Sequence, residues 1–401
     1  MSLKKGHGSF PRRIAIMVGA GFVPGINAVI TGAAMAADNM GWELVGILDG
    51  LEGLLHPEKY PDGGLVTFHR QFIERIDPSA GGVLGQSPRV DPFHVRTINK
   101  LDMVEEVDMS DELLKKLQKE NIEAVISVVG GLGLSIFYKL HRKGLNTVCI
   151  PRSIDNDIAS TAVSFGFNSA LTLTIEMLDR ARQAAQAARK IAVVEVQGEQ
   201  AGWIALQAGI AACADAILIP EIPVDLKNVA AKLKDKISEK RPYALVVVAQ
   251  GAKIIHQPKK EEPVSSLKAT LSPLATGDSN SEFVIHSSGQ AAQAVATGLQ
   301  LLIAEETFPM VIGPWVRGGK PTAVDRQLGM AYGAGAIQAL NAGKNGVMVS
   351  FIPPEIRFVP LAEAINKIRT VPAESEFLKI ARSLGIYCGK EGGKTHDKSK
   401  K

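Results

Sequence analysis

The densest chemistry in the chain lies in seven consecutive residues, Pro151-Arg152-Ser153-Ile154-Asp155-Asn156-Asp157. They follow the apolar run at 147–150, which reads as a buried strand broken by Pro151. They therefore stand at a strand's carboxyl end, where α/β sheets bind ligands. Two carboxylates, a hydroxyl, an amide and a guanidinium suit a reaction at a hydroxyl group. A carboxylate can act as general base while the cation holds an anion. An Asx-turn capping the next segment would use the same residues for structure alone.

Two glycine-rich turns occupy similar positions. Gly19-Ala20-Gly21-Phe22-Val23-Pro24-Gly25 follows a strand at 14–18 and opens a helix over 27–40. Backbone amides at a helix N-terminus attract anions, so Gly21 and Gly25 are candidate phosphate contacts. The spacing is one residue longer than the dinucleotide fingerprint, although Asp49 after the next strand stands where a ribose-binding acid would. Gly130-Gly131-Leu132-Gly133 repeats the context after a strand at 122–129, with no carboxylate to hold a metal. A ligand-free tight turn accounts for either segment. Two further clusters follow strands: Val194-Glu195-Val196-Gln197-Gly198-Glu199 and Trp315-Val316-Arg317-Gly318-Gly319. Arg317 beside two glycines suits a phosphate, or it is a lone surface arginine.

The elements that must position these residues alternate between strand and helix. Short apolar runs at 44–48, 191–196, 216–219, 245–249, 310–312 and 347–352 lack polar alternation, as central parallel strands do. Ser110, followed by Asp111 and Glu112, reads as a helix cap. A long Ala-rich helix covers 169–190 and ends on Arg189 and Lys190. This order predicts parallel sheets covered by helices. Residues 256–280 read as a surface insertion and 390–401 as a disordered tail.

The chain has 401 residues, which suggests two or three domains. It is 46% hydrophobic and 21% charged, which excludes wholesale disorder. A net charge of +4 is too small to argue for nucleic acid, and 5% aromatics is too sparse for a base-stacking surface. Three scattered cysteines show neither zinc spacing nor a disulfide framework. With no apolar leader and no apolar run of about 20 residues, a cytoplasmic protein that avoids membranes is expected.

Taken in order, the segments GAGFVPGINAVITG, ILDGLEGLL, VVGGLGLS, PRSIDND, VVEVQGEQAGWIAL, ILIPE and VRGGKPTAVDRQLG resemble the phosphofructokinase family from about residue 13 to about 385. The resemblance implies two doubly wound α/β domains with mostly parallel sheets and an active-site cleft between them. The larger would comprise 1–165 plus 318–365 and carry the phosphate donor. The smaller would comprise 166–317 plus 366–389 and carry the sugar phosphate. Members phosphorylate fructose 6-phosphate from ATP or pyrophosphate with Mg²⁺, usually as dimers or tetramers.

Residue by residue, the resemblance makes Asp155 the catalytic base, with Asp157 and Ser153 beside it. It assigns Gly21, Gly25, Arg89, Gly131, Gly133 and Arg152 to phosphate or nucleotide, and Lys190, Gln197, Gly198, Gln250 and Arg317 to the sugar phosphate. Lys190 stands for an arginine that reaches the neighbouring subunit's ligand. Gly133 is similar to ATP users, and Arg152 to the lysine of pyrophosphate users. The departures are severe. The metal-organising aspartate is Leu132, and the opening GGD turn reads Ala20-Gly21-Phe22. An arginine that serves the transferring phosphoryl group is Glu199. A sugar-binding glutamate is Gln250, a histidine is Pro314 and another arginine is Phe308. These changes imply weak or altered phosphoryl transfer. Alternatively, they imply a non-catalytic regulatory or binding subunit, as a homo-oligomer or paired with an active homologue. A nucleotide-binding protein of other chemistry is the third reading.

Overall fold

The computed structural model describes residues 12–79, 81–87, 91–98, 102–255, 289–365 and 367–389. The expected insertion at 256–280, the tail at 390–401 and Arg89 lie outside them. In chain order the strands are β1 (Arg13–Val18), β2 (Glu43–Ile47), β3 (Leu65–Thr67), β4 (Val95–Ile98), β5 (Val104–Val107), β6 (Ala124–Val129), β7 (Thr147–Ser153) and β8 (Phe165–Gly166). There follow β9 (Ile191–Val196), β10 (Ala216–Leu218), β11 (Val224–Asp225), β12 (Ala244–Ala249), β13 (Ile254–Ile255), β14 (Thr307–Val311), β15 (Val347–Ile352) and β16 (Glu355–Pro360).

The fold is α/β with two principal sheets. The larger runs β16-β15-β7-β6-β1-β2-β3, with β8 added alongside β7. It is parallel except for its outer pairs, β15–β16 and β2–β3. The smaller runs β10-β12-β9-β14 and is parallel throughout. Every residue of β6, β9 and β12 is buried, which is why these strands read as unbroken apolar runs: helices cover both faces.

Two local expectations are corrected. The strand expected to break at Pro151 continues to Ser153. On one side of β7, pairing with β15 ends at Cys149 and pairing with β8 begins at Arg152. Pro151 falls at this change of neighbour, where its missing N–H is tolerated. Ser110 is not the helix cap. It lies inside the helix Ser110–Lys119, and its amide donates to Asp108 Oδ1 at 2.8 Å.

The helices Ile26–Asn39 and Ala323–Asn341 pack at backbone contact on the larger sheet. A Cβ on Gly32 would lie 2.3 Å from the Met330 carbonyl oxygen, and one on Gly333 would lie 2.1 Å from that of Val29. In an isolated helix Gly→Ala adds about 0.5–1 kcal/mol of stability. Here overpacking of about 1–3 kcal/mol or more should outweigh that gain. Gly32→Ala is therefore expected to lower the urea midpoint, and an unchanged or raised midpoint would contradict this packing.

Candidate active site

A cavity of about 620 Å³ lies at the carboxyl ends of strands from both sheets. Ala20 and Gly21 reach it after β1, Gly130 to Leu132 after β6, and Arg152 to Asp157 at the end of β7. Glu199 to Ala201 arrive after β9 and Arg317 after β14, at the end of a short 3₁₀ turn, Gly313–Arg317. Lys367 and Ile368 close one flank.

The loop after β7 is held rigidly. Asn156 takes a left-handed conformation at φ 55°, and its side-chain oxygen accepts from the Ser164 amide at 3.0 Å. Ser153 Oγ donates to Asp157 Oδ1 at 2.5 Å and accepts from the Asp155 amide at 3.1 Å. One oxygen of the Asp157 carboxylate is thus held in place by Ser153. Asp155 Oδ1 is shielded from solvent and has no hydrogen-bond partner among the described residues. Burial, and then the charge of Asp157, push its carboxyl up to about 7. Arg317 opposes that rise and Glu199 adds to it. A carboxylate tuned near neutral pH beside a guanidinium is suited to taking a proton from a hydroxyl group.

Arg152 is buried beneath the first glycine turn. Its Nη2 donates to the Ala20 carbonyl, and a Cβ on Gly21 would stand 3.3 Å from its Nη1. The second turn opens the helix Gly131–Arg142, whose N-terminus borders the cavity.

Of the residues singled out from the sequence, Asp155, Asp157, Ser153, Gly21, Gly131, Arg152 and Arg317 line one cavity. Leu132 and Glu199, the two most disruptive departures, line it too. Gly25 and Gly133 do not. Gly25 caps the helix Ile26–Asn39 at φ 104°, and a Cβ on Gly133 would lie 2.5 Å from Val129 Cβ, so packing requires both glycines. Gln197, Gly198 and Gln250 sit at the carboxyl ends of β9 and β12 without lining the cavity. Lys190 lies at the opposite end of β9, about 20 Å along a six-residue strand, and pairs with Glu306 at 2.6 Å. Glu195 serves structure: it accepts from the Gly289 and Ala292 amides at 3.2 and 3.0 Å and caps the helix Gln290–Gln300. Asp49 accepts from the Tyr60 hydroxyl at 3.1 Å and is not part of the cavity, so the dinucleotide reading loses its acid.

Sequence reasoning missed Lys367, Gln200 and Ser135 as lining residues. It also missed Arg369, whose amide donates to the Asp157 carbonyl at 2.7 Å and whose Nη1 donates to the Asn156 carbonyl at 3.1 Å. Ser135 and Gln200 lie inside the quoted segments VVGGLGLS and VVEVQGEQAGWIAL, whereas Lys367 and Arg369 belong to no motif or periodic pattern.

Magnesium does not fit the residues present. It requires oxygen ligands, usually one or two carboxylates beside substrate phosphates. Leu132 offers none, Asp157 Oδ1 is held by Ser153, and burial beside Asp157 pushes the Asp155 carboxyl up to about 7. Among the described residues no group of three or more His, Cys, Asp or Glu side chains is placed to hold a metal ion.

Fold and cavity together define an α/β protein with a cleft at the carboxyl ends of two mostly parallel sheets. A model of the family described as Phosphofructokinase matches residues 13–340. The ATP-dependent 6-phosphofructokinase of Chloroflexus aurantiacus is 33% identical over 387 residues, 95% of this chain and 98% of the relative. ATP-dependent 6-phosphofructokinase 2 of Clostridium perfringens is 33% identical over 378 residues, 94% and 98% of the two chains. The pyrophosphate-dependent phosphofructokinase from Marinobacter aquaeolei shares the fold at a TM-score of 0.70 and 18% identity, covering 95% of this chain and 93% of that one. The chain belongs to the phosphofructokinase family.

Proposed function

We propose that the cavity performs phosphoryl transfer to fructose 6-phosphate or a related sugar phosphate, at a rate well below that of an intact family site. One observation carries this reading: Asp155, buried and tuned to about 7, faces a cavity that also holds Arg317. The acceptor hydroxyl gives its proton to Asp155, its oxygen bonds to phosphorus, and the bond from phosphorus to the donor's bridging oxygen breaks. Arg317 grips the acceptor's phosphate. We read the donor on the side of 1–165 plus 318–365 and the sugar phosphate on the side of 166–317 plus 366–389, with Lys367 at the junction of the two.

Weak activity follows from the remaining charges. Phosphoryl transfer depends on positioning and electrostatics. Losing one charge stabiliser costs roughly 10²–10³ in rate, and an arginine serving the moving phosphoryl is worth about 10³–10⁵. Glu199 puts a negative charge where the family keeps that arginine. An assay following sugar bisphosphate formation, with ATP or pyrophosphate as donor, should return far less than the roughly 1–100 s⁻¹ of ordinary kinases. An ordinary rate would overturn the reading. No turnover with any donor, together with a thermal shift on adding fructose 6-phosphate, would favour the second reading, a regulatory or binding subunit. Leu132 and Glu199 support that alternative.

The protein works as a homodimer, a homotetramer or a heteromer with an active homologue, in the cytoplasm. Lys190 stands too far from its own cavity to serve it, so its cation reaches a phosphate only in a neighbouring copy. Light scattering is expected to give at least twice 42.7 kDa, and a monomer mass at micromolar concentration would count against this assembly. No helix among the described residues is long and apolar enough to cross a membrane.

A further inference from the structure

The cavity has lost a metal carboxylate, yet it holds a cation that no motif announced. Six charged residues line it: Arg152, Arg317 and Lys367 against Asp155, Asp157 and Glu199. Arg152 braces the first glycine turn, and Arg317 faces Asp155. Lys367 is exposed and has no hydrogen bond or ion pair among the described residues.

The stretch carrying Lys367 is nevertheless anchored. Ile368 forms a β-bridge with Ile158. Arg369 holds the Asn156 and Asp157 carbonyls and stacks 4.2 Å above the Trp203 ring. Trp203 Nε1 donates back to the Arg369 carbonyl at 2.8 Å. On the other side, the short helix Leu361–Ala364 packs against the helix Gly131–Arg142, whose N-terminal amides border the cavity. The backbone anchored at Ile368 and Arg369 therefore delivers a free ammonium group to the cavity that also holds the Gly130-Gly131 turn and Arg152. Leu132, on that turn, is 40% exposed and presents only hydrocarbon. An apolar side chain there and a free lysine in the same cavity suit a bare phosphate anion better than a phosphate–metal complex.

We infer that this chain holds its phosphate donor as the metal-free anion, with Lys367 and Arg152 supplying the positive charge that a divalent ion would otherwise bring. This rests on reading the cavity as a phosphotransferase site, and it adds that donor binding needs no metal.

The test is calorimetric titration of the full-length protein with sodium pyrophosphate and, separately, sodium ATP, in EDTA and in Mg²⁺. At least one donor should bind in EDTA, no more weakly than in Mg²⁺. Lys367→Met should lower that affinity at least about tenfold, the worth of one charge-assisted bond. Lys367→Arg should keep most of it, and Lys234→Met, on a distant exposed helix position, should change nothing. Leu132→Asp should weaken binding in EDTA and recover it with Mg²⁺. Wild-type binding of both donors that appears only with Mg²⁺, or a Lys367→Met protein that binds as wild type does, would overturn the inference. Fructose 6-phosphate titrated into the same samples separates the two claims. Sugar-phosphate binding without metal-free donor binding sinks this inference alone, and failure of every ligand sinks the site reading with it.

Discussion

Asp155→Asn is expected to cut phosphoryl transfer by about 10²–10⁴-fold while leaving fructose 6-phosphate affinity nearly unchanged. The amide keeps the shape of the carboxylate but cannot take the hydroxyl proton. In the wild type, transfer should rise with pH through about 7, because the base acts only when unprotonated and burial beside Asp157 holds its carboxyl up to about 7. Stability should move the opposite way. Folded Asp155 binds its proton more tightly than the unfolded chain does, whose carboxyl titrates near about 3.9. The fold therefore loses stability as pH rises from about 4 to about 7. The asparagine variant escapes that loss, so its thermal midpoint at pH 8 should exceed the wild type's by a few degrees. A variant that retains transfer, or melts earlier at pH 8, would remove Asp155 from this role.

Arg317→Ala should abolish measurable sugar-phosphate binding. One guanidinium holding a phosphate through charge-assisted bonds contributes about 1.5–3 kcal/mol per bond. Lys190 cannot compensate, since it is bound to Glu306 at the far end of β9. The change also has a signature that mere loss of packing would lack. Arg317 is the charge that pulls the Asp155 carboxyl downward, so its removal should shift any residual pH profile to higher pH. Calorimetry showing affinity within about threefold of wild type, with an unshifted profile, would place the phosphate elsewhere.

Much of the architecture was legible in the residues because central parallel strands are buried on both faces. β6, β9 and β12 announce themselves as apolar runs, and the glycine turns after β1 and β6 mark where helices begin. The strand through Pro151 was not legible, because the tolerance of a proline depends on which neighbour pairs beside it. Nor was the Ser110 cap, since an Asx side chain two residues earlier makes the same kind of bond. The glycines show the same divide. Gly21 and Gly131 line the cavity, while the left-handed cap at Gly25 and the contact of Gly133 with Val129 are demands of packing that look identical in one dimension.

The sequence by itself determined the α/β class, the family, and the polar cluster from Arg152 to Asp157, because those depend on residue types at short spacings. It also exposed Leu132 and Glu199 as departures from the family's chemistry. Only the tertiary structure decided that these two line the same cavity as Asp155, that Lys190 lies at the far end of β9 paired with Glu306, and that Lys367 lines the cavity while Arg369 braces the loop beside it. The reason is distance along the chain. Residue 367 meets residue 155 only after two sheets and the helices between them have packed, and the irregular segment that carries it has no period for a pattern to reveal.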